Sequence, residues 1–101
     1  MHHATKAKIR RDLSALCVKG FDWSSELLDL IEVERTPFTF ESDEYGAIIC
    51  VSAENGDDMA DYYGEFRGGY PWINPALEAF AETNNCYWEW QNPGAIGLYE
   101  N

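Results

Sequence analysis

The first apolar residues of the chain recur with a helical spacing. Between residues 4 and 18 they return every three or four positions, which predicts a helix with one buried face. The inward residues are Ile9, Leu13, Leu16 and Cys17, and the residues that lie away from them include Lys6, Arg10 and Arg11. A second apolar repeat predicts another helix over residues 24–33, begun by Asp22 or Ser24.

The acids of the second predicted helix decide how this pair of helices is interpreted. Two tandem helices are also the pattern of a helix-turn-helix protein, whose second helix enters the major groove of DNA. Here the second helix would carry Glu26, Asp29, Glu32 and Glu34. Because carboxylates repel phosphate, the sequence argues against DNA reading by this element.

The next two apolar segments are typical of strands. Residues 36–42 alternate between apolar and polar, and Pro37 favours an edge position or the start of the strand. Residues 45–52 form a continuous apolar run rich in β-branched side chains, which predicts a central strand buried on both faces. Residues 42–44 are short enough to join the two strands as a hairpin.

Residues 54–70 combine many acids with large aromatic rings. A helix over residues 57–66 would gather the apolar side chains on one face, namely Met59, Tyr62, Tyr63 and Phe66. The acids Asp57, Asp61 and Glu65 would follow another face, with Asp58 beside them. Because a helix N-terminus favours negative charge, the first of these acids also suit a helix start. The glycines that follow predict a loop over residues 67–71.

The last third of the chain carries the clearest local signals. Asn74 and Pro75 predict the start of a helix over residues 75–83, which Asn84 and Asn85 end. Residues 86–91 and 95–100 read as two strands around a type II turn at residues 92–94. Alternation then places Cys86, Trp88 and Trp90 on one face of the first strand, with Tyr87 and Glu89 on the other.

These elements together predict an α+β fold. The length suits a single small domain over residues 1–101, with a mostly antiparallel sheet of about four strands packed with three to four helices. Within it a basic N-terminal helix, 4–18, precedes an acidic α+β body, 20–101. No apolar run approaches the roughly 18 residues of a membrane span, so we expect a cytoplasmic protein. A class-level resemblance of residues 20–101 implies that the cytoplasm is that of a bacterial host.

Charge is the strongest compositional signal. The formal net charge is −11, yet residues 1–19 hold five basic residues against one acid. Residues 20–101 hold two basic residues against 17 acids. Such an excess disfavours DNA, RNA and anionic membranes as direct ligands of the body, and it favours a basic protein or ribonucleoprotein surface. The simpler alternative is that the acids serve solubility alone.

The residues that usually carry catalysis are missing from the predicted fold. The only histidines, His2 and His3, adjoin the first residue, and no phosphate-binding glycine motif occurs, so we expect no enzyme and no cofactor. The three cysteines are widely spaced among apolar residues, which predicts core positions rather than a zinc site. The acids of residues 54–61 have the wrong spacing for an EF-hand calcium loop, so no metal site is predicted.

The combination of acids and aromatic rings favours a protein-binding surface. Tyrosine and tryptophan anchor many protein interfaces, and carboxylates suit a groove rich in arginine and lysine. The partner-binding residues that we predict are Glu54, Asp57, Asp58, Asp61, Glu65, Tyr62, Tyr63, Tyr70, Trp72, Glu41, Asp43 and Glu44. The alternative is that each row of acids is an independent solvated surface.

In size and charge, residues 20–101 resemble, at the level of a class, the small acidic inhibitors made by phages and mobile elements. Anti-CRISPR proteins and DNA-mimicking anti-restriction proteins are examples. The resemblance implies a non-enzymatic inhibitor that covers a basic nucleic-acid-binding surface of a bacterial defence complex. One alternative is an immunity protein or antitoxin that neutralises a basic nuclease toxin. Another is a small acidic enzyme or metal-binding domain.

Overall fold

A computed structural model describes residues 3–21, 32–42, 46–54, 59–63 and 71–101. In these residues the chain forms two helices, α1 (His3–Ser14) and α2 (Pro75–Thr83), and eight short strands. The strands are β1 (Val18–Phe21), β2 (Glu32–Arg35), β3 (Thr39–Phe40), β4 (Ile49–Ser52), β5 (Ala60–Asp61), β6 (Trp72–Ile73), β7 (Cys86–Asn92) and β8 (Ala95–Glu100).

The strands form three antiparallel sheets. The largest has four strands in the order β3-β4-β8-β7, and the other two are the pairs β1-β2 and β5-β6. The predicted fold class, about four strands with three to four helices, is therefore wrong: the described part is mostly sheet, with eight strands and two helices. Pairing between segments that are distant in sequence outweighed the local helical spacing.

The first helix forms as predicted but ends earlier than residue 18. The Ser14 hydroxyl donates to the Arg10 carbonyl, and the Leu16 amide donates to the Leu13 carbonyl, so the last turn tightens and closes. Val18 instead begins β1, where it lies opposite Arg35. The predicted helix over 24–33 lies mostly outside the described residues, and its last two positions belong to β2.

The helix predicted over residues 57–66 is wrong where the structure describes it. Ala60 and Asp61 form β5 and lie opposite Ile73 and Trp72, and the Met59 carbonyl accepts a hydrogen bond from the Asn74 amide (2.9 Å). These backbone bonds to a later segment replace the helical bonds that the spacing suggested.

The central strand and the C-terminal half agree with the sequence. β4 lies between β3 and β8, and its first three residues are buried. β3 is an edge strand, as Pro37 indicated, although it is only two residues long. Helix α2 has the predicted bounds: the Asn74 side chain accepts from the Ala76 amide (2.9 Å), and Asn85 follows the helix with a φ of 56°.

The C-terminal hairpin forms as predicted, but its turn differs. β7 pairs with β8 through cross-strand neighbours such as Trp88 and Leu98. The predicted type II turn is wrong, because Gly94 lacks the positive φ that the third position of such a turn requires. The Asn92 side chain accepts a hydrogen bond from the Gly94 amide (2.8 Å), and this bond closes the turn instead.

The hydrophobic core lies between one face of the large sheet and the two helices. Helix α1 contributes Ile9 and Leu13, and helix α2 contributes Leu77 and Ala81. The sheet contributes Ile49, Val51, Ile96 and Leu98, with Trp88 and Trp90 packed at the side. One indole ties the layers together, because the Trp88 Nε1–H donates to the Leu77 carbonyl (2.7 Å).

The three cysteines are free, and the prediction that all lie in the core is wrong for one of them. Cys50 and Cys86 are buried, whereas Cys17 is exposed just before β1. Burial raises the pKa of the Cys50 thiol, and burial together with the charge of Glu100 raises the pKa of Cys86. Both thiols therefore stay protonated to a higher pH than an ordinary cysteine.

The indole bond predicts unequal effects of two matched substitutions. Trp88→Phe and Trp90→Phe each remove part of an indole beside the core, but only the first also removes a hydrogen bond. We expect Trp88→Phe to lower the free energy of unfolding by about 1 kcal/mol more than Trp90→Phe. Urea denaturation of both variants measures the difference, and equal losses would contradict the assigned bond.

The burial of the cysteines predicts their reactivity. At pH 8 we expect an aromatic disulfide reagent to modify Cys17 rapidly, and Cys50 and Cys86 only after unfolding in urea. Raising the pH toward the raised pKa values increases the thiolate fraction of the two buried residues, but burial still limits access. Cys17→Ser should abolish the rapid phase; a rapid phase that persists in this variant would show that a buried thiol is accessible.

Candidate protein-binding surface

Strand β7 separates two kinds of side chain by simple alternation. Trp88 and Trp90 point toward the helices and pack against the core. Tyr87 and Glu89 point to the opposite face of the sheet and are exposed, Tyr87 to 44%. The prediction from residues 86–91 is therefore confirmed, and it leaves an aromatic ring and a carboxylate in solvent on neighbouring outward positions.

The exposed ring of Tyr87 is held in place by its cross-strand neighbour. Tyr87 lies opposite Tyr99 on β8, and the two rings stack with centroids 5.7 Å apart and planes at 24°. Aromatic pairs directly opposite each other are among the stabilising contacts of antiparallel sheets. The Tyr87 ring thus loses little conformational freedom when a partner contacts its free side.

A glycine on β8 allows a third side chain to join this pair. Gly97 lies opposite Glu89, and the Gln91 side chain occupies the space over Gly97 that a Cβ atom would fill. From there the side-chain amide of Gln91 donates a hydrogen bond to the Tyr99 hydroxyl (2.6 Å). We call the five residues Tyr87, Glu89, Gln91, Gly97 and Tyr99 the Tyr87 surface.

The Tyr87 surface has the chemistry of a site for a cationic side chain. An arginine guanidinium or a lysine ammonium is attracted to the face of a tyrosine ring, and a neighbouring carboxylate can pair with the same cation. No hydrogen bond or ion pair joins the Glu89 carboxylate to another described residue, so this group is available, although the Glu89 backbone carbonyl accepts from the Gln91 side chain (3.4 Å). The arrangement therefore suits binding of a basic protein surface.

An open groove of about 500 Å³ lies between the helices, with Leu16, Ala76 and Phe80 among its lining residues. The Lys8–Asp12 ion pair lies beside it (2.5 Å), so these charges neutralise each other. Within the described ranges no three metal-ligating side chains come together, and none of the helices there is long and apolar enough to cross a membrane.

Three of the acids predicted to bind a partner have other surroundings. Asp61 is buried in β5 beside Trp72, its cross-strand neighbour. The Glu54 side chain is exposed and bends over Gly94, where it occupies the space that a Cβ atom on this residue would fill. Glu41 is exposed and its carboxylate lies 3.5 Å from the Nε atom of Arg10. These three acids do not form a row.

The predicted aromatic contacts divide between buried and exposed positions. Tyr62 is half-buried, edge-on to Trp90 with centroids 5.3 Å apart. Tyr63 is exposed to 64% and touches Tyr62 in a T-shaped pair at 5.2 Å. Trp72 is half-buried in β6. The remaining predicted residues lie outside the described ranges: Asp57, Asp58, Glu65, Tyr70, Asp43 and Glu44.

The acids that are exposed in the described part are distributed over several elements. They belong to β2, α2, β7, β8 and the segments that follow β3 and β4: Glu34, Glu41, Glu54, Glu78, Glu82, Glu89 and Glu100. Glu89 differs from the others because it adjoins an ordered, exposed aromatic pair on the same face of the sheet.

The basic first helix is attached to the sheet by one of its own cations. The Arg10 Nε–H donates to the Ile48 carbonyl (2.7 Å), which fixes α1 next to the start of β4. Lys8 pairs with Asp12, while Arg11 and Lys19 are exposed. Part of the N-terminal positive charge therefore has a structural role.

Sequence reasoning placed Tyr87 and Glu89 on a shared face but did not include them among the binding residues. The alternating pattern of residues 86–91 was the signal that could have found them. Searches of protein-family models, curated proteins and solved structures give no match to this chain.

The glycine under Gln91 predicts a measurable coupling. Gly97→Ala should displace the Gln91 side chain and break its bond to Tyr99, lowering the free energy of unfolding by about 1 kcal/mol. In a Gln91→Ala background, Gly97→Ala should lower the free energy of unfolding by a smaller amount. Urea denaturation of both single variants and the double variant measures this coupling; additive losses would show that Gln91 does not occupy that space.

Proposed function

We propose that the protein is a non-enzymatic inhibitor that binds a basic, nucleic-acid-binding surface of a bacterial defence complex. The observation that carries the proposal is the Tyr87 surface, where an ordered tyrosine pair adjoins a carboxylate in a chain of net charge −11. An arginine or lysine that normally contacts phosphate is the natural ligand of such a surface.

The two parts of the proposal act at different distances. The net charge attracts a basic partner over roughly the 8 Å Debye length of physiological salt and beyond it at lower salt, which raises the rate of encounter. At contact, Tyr87 supplies apolar area for a guanidinium, and Glu89 accepts its hydrogen bonds. A cation held in this way is no longer available to a nucleic-acid phosphate.

Inhibition then follows from competition alone. The partner's basic residues can face either phosphates or the carboxylates of this chain, and both ligands carry negative charge. No bond is made or broken, so the described part of the chain needs no nucleophile, general base or metal.

A defence assay in bacteria tests the proposal. The chain is expressed in a panel of strains, each carrying one CRISPR–Cas or restriction system, and phage plating is counted. We expect plating to rise in at least one strain and Glu89→Lys to reduce that rise, because the substitution places a cation against the partner's cations.

A matched substitution separates the site from the overall charge. Glu82→Lys changes the net charge equally, but on an exposed position of α2, which packs on the other side of the sheet. We expect it to keep most of the activity, whereas Tyr87→Ala should lose it. Equal losses for the two lysine variants would reject the Tyr87 surface, and an unchanged defence in every strain would reject the proposed function.

Binding to the purified target complex should depend on salt. Because part of the attraction is electrostatic, we expect the dissociation constant of the wild-type protein to rise between low and high salt. The contact between the Tyr87 ring and a cation acts at short range, where salt screens little, so Tyr87→Ala should weaken binding at both ionic strengths. Calorimetric titration measures this, and a salt-independent constant would count against the steering role of the acids.

A further inference from the structure

The outer edge of β7, which no described strand covers, is the feature of the sheet that most resembles a binding site for another strand. β7 is seven residues long and terminates the large sheet, and no strand of the described residues pairs with its outer side. The opposite edge strand, β3, has only two residues and follows a proline, which limits pairing there. β7 contains neither proline nor lysine, the residues that commonly protect an edge.

The hydrogen-bond register shows which backbone groups of β7 point outward. The Ala53 amide donates to the Gly94 carbonyl, so the even-numbered residues of β8 face β4. The Asn101 amide donates to the Asn85 carbonyl, in register with the pairing of β7 and β8. The odd-numbered residues of β7 therefore bond to β8, and Cys86, Trp88 and Trp90 direct their backbone groups to the free edge.

We infer that this edge adds an extended, basic segment of the partner as an antiparallel strand. The inference rests on the proposed function and deepens it, because it names the form of the ligand. Residues directly opposite each other share a face, so partner residues opposite Tyr87 and Glu89 lie on the Tyr87 surface. Lysine or arginine at those alternate positions meets the exposed ring and the carboxylate of that surface.

Charge decides between the occupants of this edge. A second copy of the chain also carries a net charge of −11, and its own Glu89 would approach the same surface. A basic strand gains from the same charges that oppose a second copy. Backbone hydrogen bonds supply affinity in strand addition, and alternate side chains supply specificity.

Two N-methylated peptides test the inference. The probe is a synthetic peptide in which lysine alternates with valine. In the antiparallel arrangement, valine lies opposite Trp88 and turns its N–H toward β7, whereas the lysine N–H points away. Methylating the valine nitrogens should weaken binding by at least about tenfold, and methylating the lysine nitrogens, at equal charge and composition, should leave it nearly unchanged.

Amide hydrogen exchange provides a readout on the protein itself. The unmethylated peptide should slow exchange of the Trp88 and Trp90 amides, which face the edge. It should leave the Tyr87 amide unchanged, since that group already bonds to β8. Equal binding of the two methylated peptides, greater loss on lysine methylation, or unchanged exchange at Trp88 would each overturn the antiparallel strand addition.

The outcomes separate this inference from the proposed function. If both methylated peptides bind equally, but Glu89→Lys weakens their binding and Glu82→Lys does not, the strand addition is wrong and the proposed binding of a basic partner is retained. If Glu89→Lys has no effect on any of the peptides, the proposed function loses its site as well. Sedimentation of the free protein tests whether a second copy of the chain occupies the edge. A dimer that the peptide cannot dissociate, with the Trp88 amide protected from exchange, would overturn the inference.

Discussion

The pairing of β7 with β8 is the constraint on which the rest of the described structure depends. β8 also pairs with β4, so the register continues into the centre of the sheet, and β7 holds the Trp88 indole that bonds to α2. Because strand side chains alternate, one register fixes both faces at once: Trp88 must enter the core if Tyr87 is to reach solvent. A slip of one residue would bury Glu89 and expose the tryptophans, so core packing and the Tyr87 surface depend on the same register.

Local signals predicted the elements whose hydrogen bonds are local. Helix α2 has its own cap in Asn74, and the β7–β8 hairpin closes over a short turn, so both were predicted well. The helix over residues 57–66 failed because the Met59 carbonyl bonds to the amide of Asn74, a partner that helical periodicity does not include. β1 likewise pairs with β2, more than ten residues later. Short strands held by distant partners leave weak patterns in a single sequence.

The candidate binding residues show the same difference between local patterns and distant pairing. A helix over residues 57–66 would place Asp61 in solvent beside Asp57 and Glu65, and Asp61 is instead buried in a strand. The alternation of β7 correctly placed Tyr87 and Glu89 together. Acid density drew the choice of binding residues elsewhere in the chain. Density measures how strongly a surface attracts a basic partner, whereas an interface also needs side chains with few conformations to lose.

The order of the Tyr87 surface comes from uncharged contacts. The ring stack of Tyr87 on Tyr99 and the hydrogen bond from Gln91 involve no formal charge, and salt does not screen them. The surface therefore keeps its shape under conditions in which long-range attraction has vanished. Attraction by scattered carboxylates alone would draw in any basic protein; under the proposed function, the fixed geometry around Glu89 would let the chain select among them.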